Sequence, residues 1–453
     1  MKIIIAGAGR IGGSIAESLV AEGHDITVIE RDRETVDAIS GSIDAICIEG
    51  NAANPGTLAD AGASEADLVL AVTEKDEINM LCGVAALKLG AAKVVARVRE
   101  PEYVRADAFL RSTFGLSLIV NPEYECATEI ARILRFPGAS RVRSFSGGKM
   151  EIAEHTVRDG ESLSGVKLRD LKQIAKAKVL VSLVERDGSA FIPNGDFELS
   201  EGDRLSLAGA DRELRKFFAA CRAYDREVRD VIILGGSRTA VYLARLLGDC
   251  GINSAIIESS RERCDVISDY LPRSCRVICG DGTRSEVLTE EGISRTDAFV
   301  ALTGDDGDNI ITSVYAKNCG AGKTVTKVNH EHFSLVVDNS GIDCIIVPKN
   351  IVANQITGYV RAIGNSAGNS TETLYKLAGG KAEALELAVG NEADITGIAL
   401  KNLPLNKDIL IAGIIRDGKS IVPDGDTAIE AGDHLVIVAR ADTIRDLEDI
   451  IAR

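Results

Sequence analysis

Three glycines near the start of the sequence have the spacing that a nucleotide-binding turn requires. Gly7, Gly9 and Gly12 follow the apolar run KIIIA and precede a helical pattern, and an acid, Glu30, ends the next apolar run. Such glycines permit a tight turn, close backbone approach to a pyrophosphate and close helix packing. The free N–H groups at the start of the helix attract phosphate. Because Glu30 would bind ribose hydroxyls and repel a 2′-phosphate, the pattern favours NAD(H) or an adenosine nucleotide over NADP(H).

Polar residues also accompany the other apolar runs of this part of the chain. Asn51 and Ala52 come after the third run, and Thr73 and Glu74 come after the fourth. Arg97 lies in the fifth run. Ligands of open parallel sheets bind at the carboxyl ends of the strands, where these residues would meet. A buried arginine needs an anionic partner, which for Arg97 is either a ligand phosphate or a nearby carboxylate.

The whole sequence is a tandem duplication of a unit of about 230 residues. VIILGGSRTAVYLARLL, which begins at position 231, repeats the opening strand, turn and helix. Further along, RDGSAFIPNGDFELSEGDRL at 186–205 recurs as RDGKSIVPDGDTAIEAGDHL at 416–435. The chain is therefore predicted to contain two copies of the same fold.

The second nucleotide turn departs from the glycine pattern. Ser237 and Ala240 stand where the second and third glycines would fall, and Lys327 stands where the first unit has its strand arginine. A Cβ and hydroxyl at Ser237 either weaken pyrophosphate binding or supply a hydrogen-bond donor, and Arg238 is within sequence reach of a phosphate. Nucleotide binding by the second unit is therefore left open. The acid Glu258 is retained.

Each unit is predicted to have two domains of the α/β class. Six short apolar runs alternate with helical patterns in the first part, which predicts a Rossmann-like, doubly wound parallel sheet. The second part is rich in β-branched residues and in D-G, N-G and G-D turn signals, which predicts a small α+β domain. A connecting helix lies between them, and such a helix often packs against another subunit. The predicted boundaries are 1–122, 123–140 (connecting helix) and 141–226, then 228–347, 348–367 (connecting helix) and 368–453.

The composition argues against several function classes. A net charge of −16 disfavours nucleic acid and anionic lipid as direct partners, and the absence of Trp leaves few stacking platforms for bases. No apolar run approaches the ~20 residues of a membrane helix, and the start does not resemble a signal peptide, so we expect a cytosolic protein. The ten cysteines are expected to be small buried hydrophobes. His330 and His332 are expected to be solvated loop residues rather than metal ligands.

The combined motifs resemble the RCK/KTN family of potassium transport regulators. The resemblance rests on MKIIIAGAGRIG, VIERD, GNAANPGTLADAGASEADLVLAVTEKDEINMLC and VVARVREPEY in the Rossmann part. In the small domain it rests on LSG, RDG and IPNGDFELSEGDRL, so it covers essentially the whole chain. It implies NAD(H) and ATP/ADP as ligands, and a regulatory role in which nucleotide-dependent rearrangement of a ring gates a membrane potassium transporter.

The resemblance also implies partners, a location and site residues. It predicts self-assembly from homodimer to homotetrameric ring, docking to a TrkH/TrkG-type potassium transporter, and a cytoplasmic location, peripheral at the inner face of the membrane. By match to the family's motifs, the first site is lined by Gly7, Ala8, Gly9, Arg10, Ile11, Glu30, Thr73, Glu74 and Arg97. The second is lined by Gly235, Gly236, Ser237, Arg238, Thr239, Glu258, Thr303 and Lys327.

Two other function classes stay open. An NAD-dependent oxidoreductase would need a general acid or base beside the nicotinamide. The sequence offers no such set, so we expect no enzymatic activity. A nucleotide sensor for a different membrane protein, such as a proton antiporter or another potassium channel, is compatible with the same residues.

Overall fold

The computed structural model describes residues 1–453 except 105, 222–226, 331–332, 334–339, 365–370, 391–394, 442–443, 445–446 and 453. Within these residues, each unit contains a six-stranded parallel sheet followed by a five-stranded antiparallel sheet. This confirms the predicted class of a Rossmann-like domain followed by a small α+β domain. The predicted boundaries at 226 and at 367–368 lie outside the described residues.

The first Rossmann domain is a doubly wound sheet. Its strands are β1 (Lys2–Ala6), β2 (Asp25–Glu30), β3 (Ile46–Glu49), β4 (Leu68–Ala71), β5 (Val94–Arg97) and β6 (Leu118–Val120). Its helices are α1 (Arg10–Ala21), α2 (Arg33–Ser40), α3 (Pro55–Asp60), α4 (Asp76–Leu89), α5 (Pro101–Val104) and α6 (Asp107–Phe114). The strand order is β3-β2-β1-β4-β5-β6. A crevice therefore opens between β1 and β4, where the order reverses.

A connecting helix, α7 (Pro122–Arg135), leads to the first small domain. The strands of that domain are β7 (Arg141–Phe145), β8 (Met150–Thr156), β9 (Val179–Arg186), β10 (Ser189–Phe191) and β11 (Arg204–Gly209). They pair in the order β10-β9-β11-β8-β7. Two helices complete the domain, α8 (Leu171–Ala175) and α9 (Asp211–Ala220).

The second unit repeats this architecture. Its Rossmann strands are β12 (Asp230–Leu234), β13 (Asn253–Glu258), β14 (Cys275–Cys279), β15 (Ala298–Ala301), β16 (Lys323–Lys327) and β17 (Cys344–Ile346). Its helices are α10 (Arg238–Asp249), α11 (Arg261–Ser268), α12 (Ser285–Glu290), α13 (Asp306–Asn318) and the connecting helix α14 (Pro348–Gly364). The small-domain strands are β18 (Thr371–Leu377), β19 (Ala382–Ala388), β20 (Ile409–Arg416), β21 (Lys419–Ile421) and β22 (His434–Arg440). The sheet orders are β14-β13-β12-β15-β16-β17 and β18-β19-β22-β20-β21.

The start and end of α7 follow from its sequence. The Asn121 side chain caps the helix by accepting a hydrogen bond from the Tyr124 N–H at 2.9 Å, and Pro122 occupies the first turn. Acidic residues lie in the first turn and basic residues in the last, which suits the helix dipole. The helix therefore begins directly at the carboxyl end of β6.

The connecting helices cross between the units. Cys126, Ile130 and Leu134 of α7 are buried in the core of the second Rossmann domain. Conversely, Val352 and Ile356 of α14 are buried in the core of the first. In this chain, the surface that receives each connecting helix is thus the other unit of the same chain.

The two small domains pack sheet against sheet. Phe145 and Met150 of the first sheet share one buried cluster with Ala412 and Val436 of the second. A Cβ at Gly413 would lie 2.3 Å from the Met150 Cε, so this glycine lets the sheets approach closely. The two units therefore bury apolar surface against each other in two places. One is where the connecting helices pack on the Rossmann cores, and the other is between the small domains.

The longest described helix is α14, with 17 residues. Within the described ranges, none of the helices combines the length and the apolar character needed to cross a membrane.

Candidate nucleotide-binding site

The glycine turn after β1 is shaped by close backbone contacts. Gly7 has a φ of +103°, and a Cβ there would lie 2.9 Å from the backbone nitrogen of Thr73. A Cβ at Gly12 would lie 1.9 Å from the Gly7 carbonyl oxygen, so only glycine lets α1 start this close to the turn. By contrast, no atom lies within 4 Å of the position that a Gly9 Cβ would take. The space beside Gly9 is therefore available to a ligand.

Glu30 spans the turn from the end of β2. Its Oε2 accepts a hydrogen bond from the Ala8 N–H at 2.7 Å. Its Oε1 accepts from the N–H groups of Arg31 and Asp32 at 2.6 and 3.1 Å. The carboxylate is thus held at the edge of the crevice, where ribose hydroxyls would meet it.

Arg97 lines the crevice, and its guanidinium is only partly hydrogen-bonded within the described residues. Its side chain is 8% exposed, and Nη2 donates to the Thr73 carbonyl at 2.6 Å. The buried Nε has no hydrogen-bond partner among the described residues. Asp76 and Glu123 pair with Arg99 rather than with Arg97. Burial, and then the charge of Arg99, lower the pKa of Arg97, so an anionic ligand here would stabilise a guanidinium that the protein leaves partly unsatisfied.

Asn79 joins the ends of β4 and β5. It is fully buried, and its Oδ1 accepts hydrogen bonds from the Thr73 N–H and hydroxyl at 2.8 and 2.6 Å. Its Nδ2 donates to the Arg97 carbonyl at 2.9 Å. Asn309 makes the same bonds at the ends of β15 and β16. The backbone at these strand ends is therefore held in the same way in both units, whereas the neighbouring side chains differ.

Both units line the cavity at the first turn, which we call the first crevice. Its volume is about 690 Å³, within the usual range for small-molecule sites. Thr239, Lys327, Asn329, Pro348 and Lys349 of the second unit face the glycine turn across it. The basic lining residues are Arg10, Arg31, Lys75, Arg97, Arg99, Lys327 and Lys349, and the acidic ones are Glu30, Glu74 and Glu123. Basic residues predominate here although the chain as a whole is strongly acidic, which favours a ligand with several negative charges.

The connecting helices both begin at the first crevice. Pro122 and Glu123 of α7, and Pro348 and Lys349 of α14, belong to its lining. Burial raises the pKa of Glu123, and its Oε2 has no hydrogen-bond partner among the described residues. A ligand in this cavity would therefore contact the N-terminal ends of the helices that lead to the small domains.

The corresponding cavity of the second unit, which we call the second crevice, has a volume of about 420 Å³ and a different charge. Of the described residues that line it, Arg263 is basic, whereas Glu258, Asp281 and Asp308 are acidic. The Arg263 Nε donates to the Gly236 carbonyl at 2.8 Å, within the turn itself. Polyphosphate would therefore meet net negative charge in the second crevice.

Glu258 repeats the role of Glu30 at the second turn. It accepts hydrogen bonds from the N–H groups of Gly236 at 2.7 Å and Ser260 at 2.8 Å. Burial alone would raise the pKa of Glu258, but these N–H groups outweigh it and hold the pKa below its usual value. The carboxylate therefore stays ionised.

The substitutions in the second turn serve packing. Ser237 caps α10, since its Oγ accepts from the Ala240 N–H at 3.4 Å. Ala240 is fully buried at the position that corresponds to Gly12. Arg238 forms an ion pair with Glu100 of the first unit. Its guanidinium is thus held between the Rossmann domains rather than at a phosphate position of its own turn.

The predicted site residues divide between the two crevices as follows. Those that line the first crevice are Gly7, Gly9, Arg10, Ile11, Glu30, Asn51, Ala52, Thr73, Glu74 and Arg97. Ala8 is not in that lining and acts through its N–H to Glu30. Those that line the second crevice are Gly235, Gly236, Ser237, Glu258 and Thr303. Thr239 and Lys327, predicted for the second site, lie in the first crevice instead, because the two Rossmann domains face each other there.

Sequence reasoning missed Arg99, Glu123 and Lys349 as lining residues of the first crevice. Arg99 lies two residues beyond Arg97 and gives no separate signal. Glu123 and Lys349 each follow the proline that opens a connecting helix. An alignment of these helix starts identifies the two residues as equivalent positions. It does not show that both line one cavity, because that depends on how the two units pack against each other.

Only one histidine of the predicted pair, His330, lies within the described residues. No group of three or more His, Cys, Asp or Glu side chains is arranged there to hold a metal ion. The His330 Nδ1 lies 2.8 Å from the Asp306 Oδ2, and His332 lies outside the described residues.

Comparisons with known proteins agree with this architecture. The TrkA-N domain family matches residues 3–122 and 231–348, and the TrkA-C domain family matches 152–222 and 384–452. A "Trk system potassium uptake protein TrkA homolog" of Archaeoglobus fulgidus is 36% identical over 99% of this chain and 100% of its own length. The Trk system potassium uptake protein TrkA of Halomonas elongata is 31% identical over 99% of this chain and 98% of its own length.

Solved structures share the fold at low sequence identity. A crystal structure of the GsuK RCK domain aligns with a TM-score of 0.63 at 19% identity, covering 97% of this chain and 92% of that chain. The GsuK channel bound to NAD aligns with a TM-score of 0.62 at 18% identity, covering 97% and 77%. The family matches span most of both units and confirm the resemblance found in the motifs. The chain belongs to the TrkA family, as a tandem repeat of TrkA-N and TrkA-C domains.

Proposed function

We propose that this chain is the nucleotide-binding regulatory subunit of a Trk-type potassium uptake system. It binds NAD(H) or ATP/ADP in the first crevice and gates a membrane potassium transporter of the TrkH/TrkG type. The observation that carries the proposal is the cluster of basic side chains from both units around the first glycine turn. Relatives at full-length coverage are named potassium uptake proteins, which supports this role over that of an oxidoreductase.

The coupling runs through the connecting helices. Phosphates at the first turn would draw Arg97 from one Rossmann domain and Lys327 from the other toward the same ligand. The resulting change in the relative orientation of the two Rossmann domains displaces the N-terminal ends of α7 and α14. These helices lead directly to the small domains. A ligand shifts this equilibrium only through its different affinity for the two arrangements, typically by about 1–3 kcal/mol.

Nucleotide binding should occur once per chain and use basic residues of both units. Titration calorimetry with ADP, ATP, NAD and NADH is expected to give about one tight site per chain. Arg97→Ala and Lys327→Ala should each weaken binding of ATP, Arg97→Ala by about tenfold, the loss of one charge-assisted hydrogen bond. Both variants should leave the stoichiometry unchanged, since both residues serve the first crevice.

Lys93→Ala is the matched control, because Lys93 is exposed and lies outside the cavity lining. It should bind like the wild type. If Lys327→Ala instead halves a stoichiometry of two, Lys327 serves the second crevice and the shared site is wrong. If none of the four nucleotides binds, the regulatory mechanism is refuted.

The ring that the family resemblance implies needs a contact between chains. Leu81 on α4 and Ile311 on α13 occupy equivalent positions in the two units and are 54% and 70% exposed. Large apolar side chains at matching surface positions of both halves suit repeated contacts between copies of this chain. We propose that these faces join chains into a homotetramer located at the inner face of the membrane through its transporter.

Changing this surface should alter the oligomeric state. The double variant Leu81→Asp, Ile311→Asp is expected to shift the mass measured by light scattering from tetramer toward monomer. Phe191→Asp, which changes an exposed aromatic residue of the first small domain, should leave the mass unchanged. An unchanged tetramer in the double variant would show that the ring uses another surface.

Co-purification tests the identity of the membrane partner. The tagged chain should co-purify with a TrkH-type membrane protein in detergent, in an amount that depends on the nucleotide added. Selective co-purification with a proton antiporter instead would favour the alternative sensor role.

A further inference from the structure

Two cysteines adjoin the second crevice, and the nucleotide mechanism above uses neither. Cys264 lies in α11 and Cys279 ends β14. The equivalent positions of the first unit hold Val36 and Glu49, so the thiol pair belongs to the second unit alone. Sequence neighbours of both cysteines, Arg263 and Gly280 among them, line the second crevice.

Strand register brings the two thiols together. Cys275 and Val277 pack into the core that contains Ile267 of α11. Because side chains alternate along a strand, Cys279 points to this same face of the sheet, toward α11. Cys279 is also paired with Glu258 of β13, and the Cys264 Sγ contacts the Glu258 carbonyl oxygen at 3.5 Å. Both cysteines therefore adjoin one residue of β13, Glu258.

The two thiols differ in accessibility. Cys279 is exposed, whereas Cys264 is 5% exposed. Burial, together with the neighbouring Cys279 thiol, raises the pKa of Cys264 to about 11. Attack on an external disulfide needs a thiolate with access to solvent, so Cys279 is suited to react first and Cys264 to react second.

We propose that Cys264 and Cys279 form a reversible intrachain disulfide that links α11 to β14 at the edge of the second crevice. The oxidant is a small-molecule disulfide such as glutathione disulfide. The Cys279 thiolate attacks one sulfur, a mixed disulfide forms, and one glutathione thiolate leaves. Cys264 then gives up its proton and attacks the Cys279 sulfur, which releases the second glutathione. Two protein thiols are oxidised and one glutathione disulfide is reduced to two glutathione molecules.

The bond would fix the wall of the second crevice. Glu258 adjoins both cysteines, and its carboxylate holds the turn through the Gly236 N–H. A link from α11 to β14 restrains the relative movement of these elements. The second crevice would then report redox state, while the first crevice reports nucleotide.

The test uses the full chain, reduced and then exposed to excess glutathione disulfide. Intact-mass spectrometry should show the loss of two hydrogens per chain, and peptide mapping should find Cys264 joined to Cys279. Dithiothreitol should restore the reduced mass. Cys264→Val, which installs the residue of the first unit, should instead accumulate a glutathione adduct on Cys279. Cys279→Ser should form no link involving Cys264.

Cys250→Ser removes another exposed cysteine and should leave the link intact. A persistent glutathione adduct on Cys279 of the wild-type chain, with no link to Cys264, would overturn the proposal. A link between any other pair of cysteines in place of this one would also overturn it. Circular dichroism of each variant establishes that it is folded before the masses are compared.

Discussion

Replacing Lys323 with methionine is expected to destabilise the junction between the units by on the order of 3 kcal/mol. Lys323 opens β16 and is 4% exposed, and its ammonium group meets the C-terminal end of α7. Nζ shares its three protons among the carbonyl oxygens of Ile133 at 3.3 Å, Phe136 at 3.2 Å, Pro137 at 2.9 Å and Ala139 at 2.5 Å. One buried cation thus satisfies several carbonyl groups that a helix end leaves without partners.

Two effects oppose each other in this substitution. Burial lowers the pKa of Lys323, so the charged form is costly to keep in the protein, and methionine removes that cost. However, methionine leaves the carbonyl groups buried without a donor, at about 1–3 kcal/mol for each that finds no new partner. With several carbonyl groups affected, the loss of hydrogen bonds exceeds the gain from removing the charge.

Hydrogen exchange measures the effect where it arises. Amide protection over the last turn of α7 should fall by about a hundredfold in Lys323→Met, the equivalent of the predicted free energy. The urea midpoint, followed by circular dichroism because the chain has no Trp, should fall as well. Lys93→Met is the matched control, since Lys93 holds the equivalent position of the first unit and is exposed. Equal protection of α7 in both variants would contradict the capping role.

Lys323 also shows where sequence reasoning reaches its limit. The glycine turn, Glu30 and the strand ends are local patterns, so the Rossmann-like fold and the first site's frame were predicted from sequence. Lys323 has the same sequence setting as Lys93, at the start of a strand, and the partners of its ammonium group lie about 190 residues away. Its burial depends on how α7 crosses to the other unit, which no local pattern encodes.

The same reason explains the reassignment of Lys327. The repeat alignment places it where Arg97 stands, and by analogy in its own unit's crevice. The structure places it in the first crevice because the two Rossmann domains face each other. Duplication therefore made equivalent residues, and packing between the copies gave them different surroundings.

A second pair of equivalent residues, Glu151 and Glu383, should respond to the same substitution in opposite directions. Each is the second residue of its strand, β8 or β19, and each is 2% exposed. Glu383 pairs with Arg361, whose Nη1 lies 3.0 Å from the Glu383 Oε2. The equivalent arginine of the first unit, Arg135, pairs with Asp211 instead.

Glu151 is therefore a buried acid without a full partner. Its Oε2 has no hydrogen-bond partner among the described residues. Burial, and then the charge of Asp211, raise the pKa of Glu151 to about 7, although Arg135, Arg132 and Arg215 oppose the shift. The acid is consequently protonated in the folded protein at a pH where it is ionised in the unfolded chain.

The sign of the pH dependence follows from this shift. Since the folded pKa exceeds the unfolded value of 4.5, the stabilising effect of the proton is complete below that pH and is lost as pH rises through about 7. Glu151→Gln keeps the shape and cannot ionise. Its free energy of unfolding should match that of the wild type near the acid end of this window. Above the folded pKa it should exceed the wild-type value by on the order of 2–3 kcal/mol.

Glu383→Gln should destabilise the protein, because it leaves Arg361 with Glu22 as its remaining carboxylate partner. Loss of one side of this buried ion pair should lower the free energy of unfolding above neutral pH by about 1–3 kcal/mol. Urea midpoints of both variants and the wild type, measured across the range from acid to mildly basic pH, separate the two cases. Parallel profiles for Glu151→Gln and the wild type would show that Glu151 is ionised throughout, with Arg135 as its effective partner. Opposite signs for the two glutamates would show that pairing with the connecting-helix arginine decides whether the buried carboxylate stabilises its unit.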